Sequence, residues 1–152
     1  MRRILFCLLV LFVAFPALAQ RETLTTFGAG TLTIESANGK HDFNIEVART
    51  PDQHRQGLMF RQKLAPDAGM LFINESEQPI SMWMSNTLIP LDMLFIAADG
   101  KVVRIAERAV PRSEEIISSG RPVLLVLEVN GGIASKLGIK PGDTVTYTEG
   151  RR

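Results

Sequence analysis

Cysteine is almost missing from this sequence. The single Cys7 lies inside the N-terminal apolar run ILFCLLVLFVAF, so neither an intrachain disulfide nor a cysteine-built metal site is available. An excess of one charge is missing too. With 17 basic residues against 16 acidic ones, the chain lacks the basic footprint that nucleic-acid binding needs for counterion release. Histidine is scarce, and His41 and His54 have no metal-ligand spacing; each reads as a surface residue. The sequence contains no G-x-S-x-G elbow, no H-E-x-x-H and no phosphate loop, and Gly138-Ile139-Lys140-Pro141-Gly142-Asp143 reads as turn chemistry. No catalytic signature and no cofactor follow from it. Internal repeats, low-complexity tracts and interdomain linkers are absent as well.

What is present begins with an address. Arg2 and Arg3 precede the apolar run, which ends in Pro16-Ala17-Leu18-Ala19. A basic start, a run short for a membrane span and an A-x-A site predict a signal peptide cleaved after Ala19. Cys7 sits within the run and not at the cleavage point, which argues against lipoprotein processing. The mature chain would begin at Gln20 with 133 residues, no cysteine and 15 basic residues against 16 acidic, a formal charge of −1. That length suits one exported domain, periplasmic or extracellular, monomeric or weakly associating, with a core that needs no disulfide. No later apolar run is long enough to span a membrane.

After a lead-in over 20–29, the apolar spacing turns to strands. GTLTIES and DFNIEVA alternate, and Asn38-Gly39 between them is a hairpin signal. In TPDQHRQGLMF, Thr50 suits an N-cap, Pro51 the first helical position and Gln53 a capping box, which predicts one short helix near 51–59. GMLFI, SMWM, DMLFIA, KVVRIA, PVLLVLEV and TVTYTE supply further strands, with NESEQPI a surface loop, and PVLLVLEV is apolar enough to be central. A single helical turn is expected within GGIASKLGIKPGD. About eight short strands and little helix predict a mainly β barrel or sandwich over 30–148, followed by a 149–152 tail.

The order and spacing of several motifs then carry a resemblance. Gly57-Leu58-Met59-Phe60-Arg61, Gly69-Met70-Leu71-Phe72 and the run from Trp83 to Asp92 stand in sequence, followed by Asp99-Gly100, Pro111, Leu127-Glu128, Gly138-Ile139 and Gly142-Asp143. Over about residues 30–148 the chain resembles the family known as domain of unknown function 192. The resemblance implies a compact, mainly β, often exported domain, with no reaction, substrate or cofactor attached. Met82 departs from the pattern, which has an aromatic residue before the tryptophan.

Candidate residues cluster in SMWMSNTLIPLD. Trp83 offers a flat apolar wall, Asn86 and Thr87 offer donors and acceptors, and Asp92 a carboxylate; with Arg55 or Arg61 nearby they would form a ledge for a small polar molecule or envelope component. The same polar step also reads as turn chemistry, with Asp92 a cap. Met82 and Met84 would share one strand face and suit a soft ion such as Cu(I) or Ag(I), although methionine more often fills core gaps. Glu128, inside an apolar strand, calls for a partner, and Arg55 and Arg61 are the candidates for a structural ion pair. Asp92 with Glu128 is the one carboxylate pair that would serve a glycan hydrolase.

Overall fold

The computed structural model describes residues 25–150. The expected signal peptide, Cys7 and the first part of the lead-in lie outside the described residues, as does the end of the tail. Seven strands and two short helices follow one another: β1 (Gly28–Ser36), β2 (Gly39–Ala48), α1 (Pro51–Gln56), β3 (Ala68–Met82), β4 (Leu91–Ile96), β5 (Val102–Ala109), β6 (Ile117–Asn130), α2 (Ile133–Leu137) and β7 (Thr144–Glu149). All seven strands belong to one sheet, in the order β5-β4-β6-β3-β2-β1-β7. The domain is therefore mainly β, as its apolar alternation predicts. The sheet curls until its outer strands touch at the single bridge Lys101–Thr144, without a continuous closing ladder.

Local chemistry accounts for the connections. Ser36 pairs with Gly39, so the hairpin loop is Ala37-Asn38, one residue earlier than Asn38-Gly39 suggests, and Gly39 takes the positive φ of +124°. β2 and β3 run parallel, which requires a crossover, and α1 provides it. Thr50 Oγ1 accepts from the Gln53 N–H while Gln53 Oε1 accepts from the Thr50 N–H, completing the expected capping box. The helix stops at Gln56 because Gly57 turns to positive φ.

Seven strands replace the expected eight because NESEQPI is not a loop. It continues β3 from GMLFI through to Met82, paired with β6 across two register shifts. Pro79 lies opposite Pro122 beside one of these shifts, where an irregular ladder accommodates residues without an N–H. β6 is correspondingly longer than PVLLVLEV and lies centrally between β4 and β3.

Each face of the sheet carries its own core. Leu94, Ile96, Leu127 and Val129 belong to the core inside the curl, while Leu91, Met93, Phe95 and Val126 belong to a second one on the opposite face. Period-2 alternation along β4 and β6 makes this division. All six residues of β4 are buried, as expected for a strand covered on both sides. The second core is the one that positions the candidate site.

Candidate functional site

Glu128 stands at the centre of the second core. Its neighbours in β6, Leu127 and Val129, face the inner core, so alternation turns Glu128 to the other side. Met70 of β3 and Met93 of β4 lie beside it in register. The residue is 4% exposed. Burial alone raises its pKa from the usual carboxylate range to about 8, because the charged form loses its hydration there. Neither expected arginine neutralises it. Arg61 instead forms a bidentate pair with Glu46, at 2.6 and 2.7 Å, and Arg55 pairs with Asp52 one turn away, its side chain 72% exposed. The expected tie between helix and sheet is thus replaced by two local pairs, and among the described residues Glu128 has no cationic partner. Glu128 lines a narrow recess of about 30 Å³, together with His54, Met59, Met82, Trp83 and Thr87.

Three segments build the walls. The first is α1 and the turn after it, where Leu58 is buried and Met59 faces the recess. His54 packs edge-on to Phe72, with ring centroids 5.6 Å apart. Its Nε2 lies 3.1 Å from the Ala48 carbonyl oxygen; a carbonyl only accepts, so Nε2 is the donor of this bond. The second segment starts where β3 ends at Met82, and leaves Trp83 48% exposed. The third is the turn after Trp83 as far as Thr87, which the loop between β5 and β6 braces. Met84 N–H donates to the Ser113 carbonyl, Arg112 N–H to the Thr87 carbonyl, and Phe60 N–H to the Asn86 carbonyl at 2.9 Å. Phe60 and Asn86 both hold positive φ, 63° and 54°, so the segments meet through backbone that their neighbours must hold in place. A neighbouring cleft of about 250 Å³, lined also by Asn74, Gln78 and Ser81, shares His54, Phe72, Met82 and Trp83 with the recess.

The expected ledge is brought together only in part. Trp83 and Thr87 line the recess, although Thr87 itself is only 6% exposed. Asn86 stands at the rim, its Nδ2 4.0 Å from Met59 Sδ. Arg55 lies along the recess and Arg61 is engaged with Glu46. Asp92 is elsewhere. Fully buried, it accepts from the N–H groups of Arg108 and Gly132 through Oδ1 and of Ala134 through Oδ2, at 2.7–2.8 Å. It ties the start of α2 to the Arg108 bulge, a structural task, and does not cap the Ser85–Thr87 turn as expected. It also pairs in register with Val129, beside Met93 opposite Glu128, so the two carboxylates leave opposite faces of the sheet. They cannot flank one glycosidic bond. The two methionines serve the second core: Met84 is fully buried in it with Met70 and Met93, and Met82, at the end of β3, packs half-buried against it. Among the described residues no three His, Cys, Asp or Glu side chains gather as metal ligands.

Residues 33–147 match the family DUF192, described as Uncharacterized ACR. The chain belongs to this family. A protein of Sinorhizobium meliloti 1021 that carries a provisional description as a transcription regulator is 46% identical, with a TM-score of 0.79 over 82% of this chain and 98% of its own. A protein of unknown function from Novosphingobium aromaticivorans DSM 12444 is 43% identical, with a TM-score of 0.76 over 78% of this chain and 84% of its own. No curated protein matches the sequence. In this DUF192 domain the motifs that carry the resemblance converge in space. Gly57-Leu58-Met59, Phe72, Trp83, Thr87 and Glu128 come from four separate stretches and line one recess.

His54 and Met59 were the residues that sequence reasoning passed over as site residues. His54 lies between Gln53 and Arg55 in a helix too short to show an inner face, and Met59 lies beyond the helix end.

Proposed function

We propose that this domain is exported and binds a small polar molecule in the groove beside Trp83. One observation carries the reading: Glu128, a nearly buried carboxyl with no cation to pair with among the described residues, forms part of the wall of a recess beside an exposed indole. A buried acid of this kind is costly to hold without a partner, and perturbed acids in clefts mark functional sites more often than ordinary surface. An apolar wall with a few converging polar groups is the usual form of a small-ligand pocket. Near-balanced charge favours such a ligand over nucleic acid, which is what regulation of transcription by direct DNA contact would need.

Trp83 is the only tryptophan, so its emission reports this groove alone. A panel of sugars, polyols, amides and small amines should contain a compound that shifts the emission saturably. Glu128→Gln should weaken that compound by ~tenfold or more. A panel without a saturable shift, or a shift indifferent to Glu128→Gln, would sink the proposal. Export has its own check: periplasmic protein should have the mass of a chain starting at Gln20, whereas full-length chain retained in the cytoplasm would contradict it.

A further inference from the structure

We propose that the ligand of this groove is a small organic ammonium ion, its cationic head held between the Glu128 carboxylate and the Trp83 indole. The inference rests on the binding reading above and narrows it to one chemical class.

Charge accounting comes first. Glu128 faces the recess without a counter-ion, because Arg61 is occupied by Glu46 and the guanidinium of Arg55 by Asp52. The strands on either side present only Met70 and Met93 to it. An anionic ligand would meet this acid with no free cation to offset it. A neutral ligand would gain a hydrogen bond and nothing more. A cation supplies the missing charge where little water screens it, and there attraction is strongest.

The walls point the same way. Trp83, Phe72, Met59 and Met82 line the same recess as the acid; indole is the best of the aromatic faces for a cation, and thioethers are polarisable enough to pack around one. Asn74, Gln78 and Ser81 line the cleft beyond, in position to receive a polar tail. Asn74 donates Nδ2 to the Leu124 carbonyl, which leaves its Oδ1 as an acceptor. A cationic head at the Glu128 end and a hydroxylated tail at the other would match both halves.

Binding is then linked to a proton. The charged and titratable side chains along the groove are Glu128 from β6 and His54 and Arg55 from α1. The free Glu128 carboxyl is neutral below about pH 8, so a cation must displace its proton and binds more tightly as pH rises.

The test uses choline and 3,3-dimethyl-1-butanol, which share a shape and differ in the positive charge. Each is titrated into the mature protein and its Glu128→Gln variant, with Trp83 emission as the signal, at about pH 6 and about pH 9. The proposal expects saturable binding of choline, ~tenfold or more tighter than of the neutral alcohol. It also expects a Kd ~tenfold lower at the higher pH, and loss of both differences in Glu128→Gln, a comparison that separates Glu128 from His54. Equal binding of the two probes overturns the ammonium assignment and leaves the groove a ligand site. No response to choline overturns it too, and the broader panel then decides the binding reading on its own. Circular dichroism of Glu128→Gln must match the parent; if that variant is unfolded, the choline-to-alcohol ratio and its pH dependence in the parent still decide the matter.

Discussion

Asp92→Ala is expected to lose about 3–5 kcal/mol of folding stability in urea or thermal denaturation. The size follows from what the carboxylate holds. Three backbone N–H groups, from Arg108, Gly132 and Ala134, donate to its two oxygens, and the side chain is fully buried. An unsatisfied buried donor costs about 1–3 kcal/mol, and bonds to a charged acceptor are stronger than neutral ones. Truncation orphans the three together. Asp92→Asn should fall between, since its amide nitrogen turns a donor toward donors. A loss below about 1 kcal/mol for Asp92→Ala would mean that water or backbone movement replaces the carboxylate, and that β5 and α2 do not depend on it.

Glu128→Gln is expected to do the reverse, and to do it only above acidic pH. In the folded protein burial raises the Glu128 pKa to about 8, whereas in the unfolded chain it has its ordinary value. Between the two values the folded state holds a proton that the unfolded state has released, so Glu128 makes folding less favourable as pH climbs. The slope reaches at most ~1.4 kcal/mol per pH unit and flattens above about pH 8. Glutamine cannot ionise and removes that loss. The variant should therefore match the parent near about pH 4 and exceed it by about 2–4 kcal/mol near pH 8, in urea denaturation at each pH. Parallel stability profiles for the two proteins would show that the carboxyl is solvated in the fold.

Much of the fold was legible in the sequence. Alternation in β1 and β2, the Thr50-Pro51-Gln53 start of α1 and the apolar run of β6 are local signals, and each produced the element it suggests. The motif order was legible too, and it names the family. Local sequence divides β3 into two strands because ESEQP looks like a loop; pairing with β6 keeps it extended, and only the partner strand carries that information. The site was harder to read. Glu128 was recognisable as an anomaly in PVLLVLEV, but the identity of its partner was not, since Arg61 has Glu46 within reach only through the parallel β2–β3 crossover. Asp92 looked available beside Asn86 and Thr87 in the chain. It faces the opposite side of the sheet because a strand alternates, and the sequence did not say which face held the groove. Trp83 was the reverse case: its exposure depends on β3 ending at Met82, which no residue in SMWM announces.

The proposed function requires Glu128 to be a neutral acid in the wall of the groove beside Trp83, without a cation among the described residues to pair with. Carbon-detected NMR titration of the Glu128 carboxyl decides whether it is. A midpoint near 8 in the free protein, moving down when choline is added, is the predicted result. A midpoint in the ordinary carboxylate range, unmoved by choline, would contradict it.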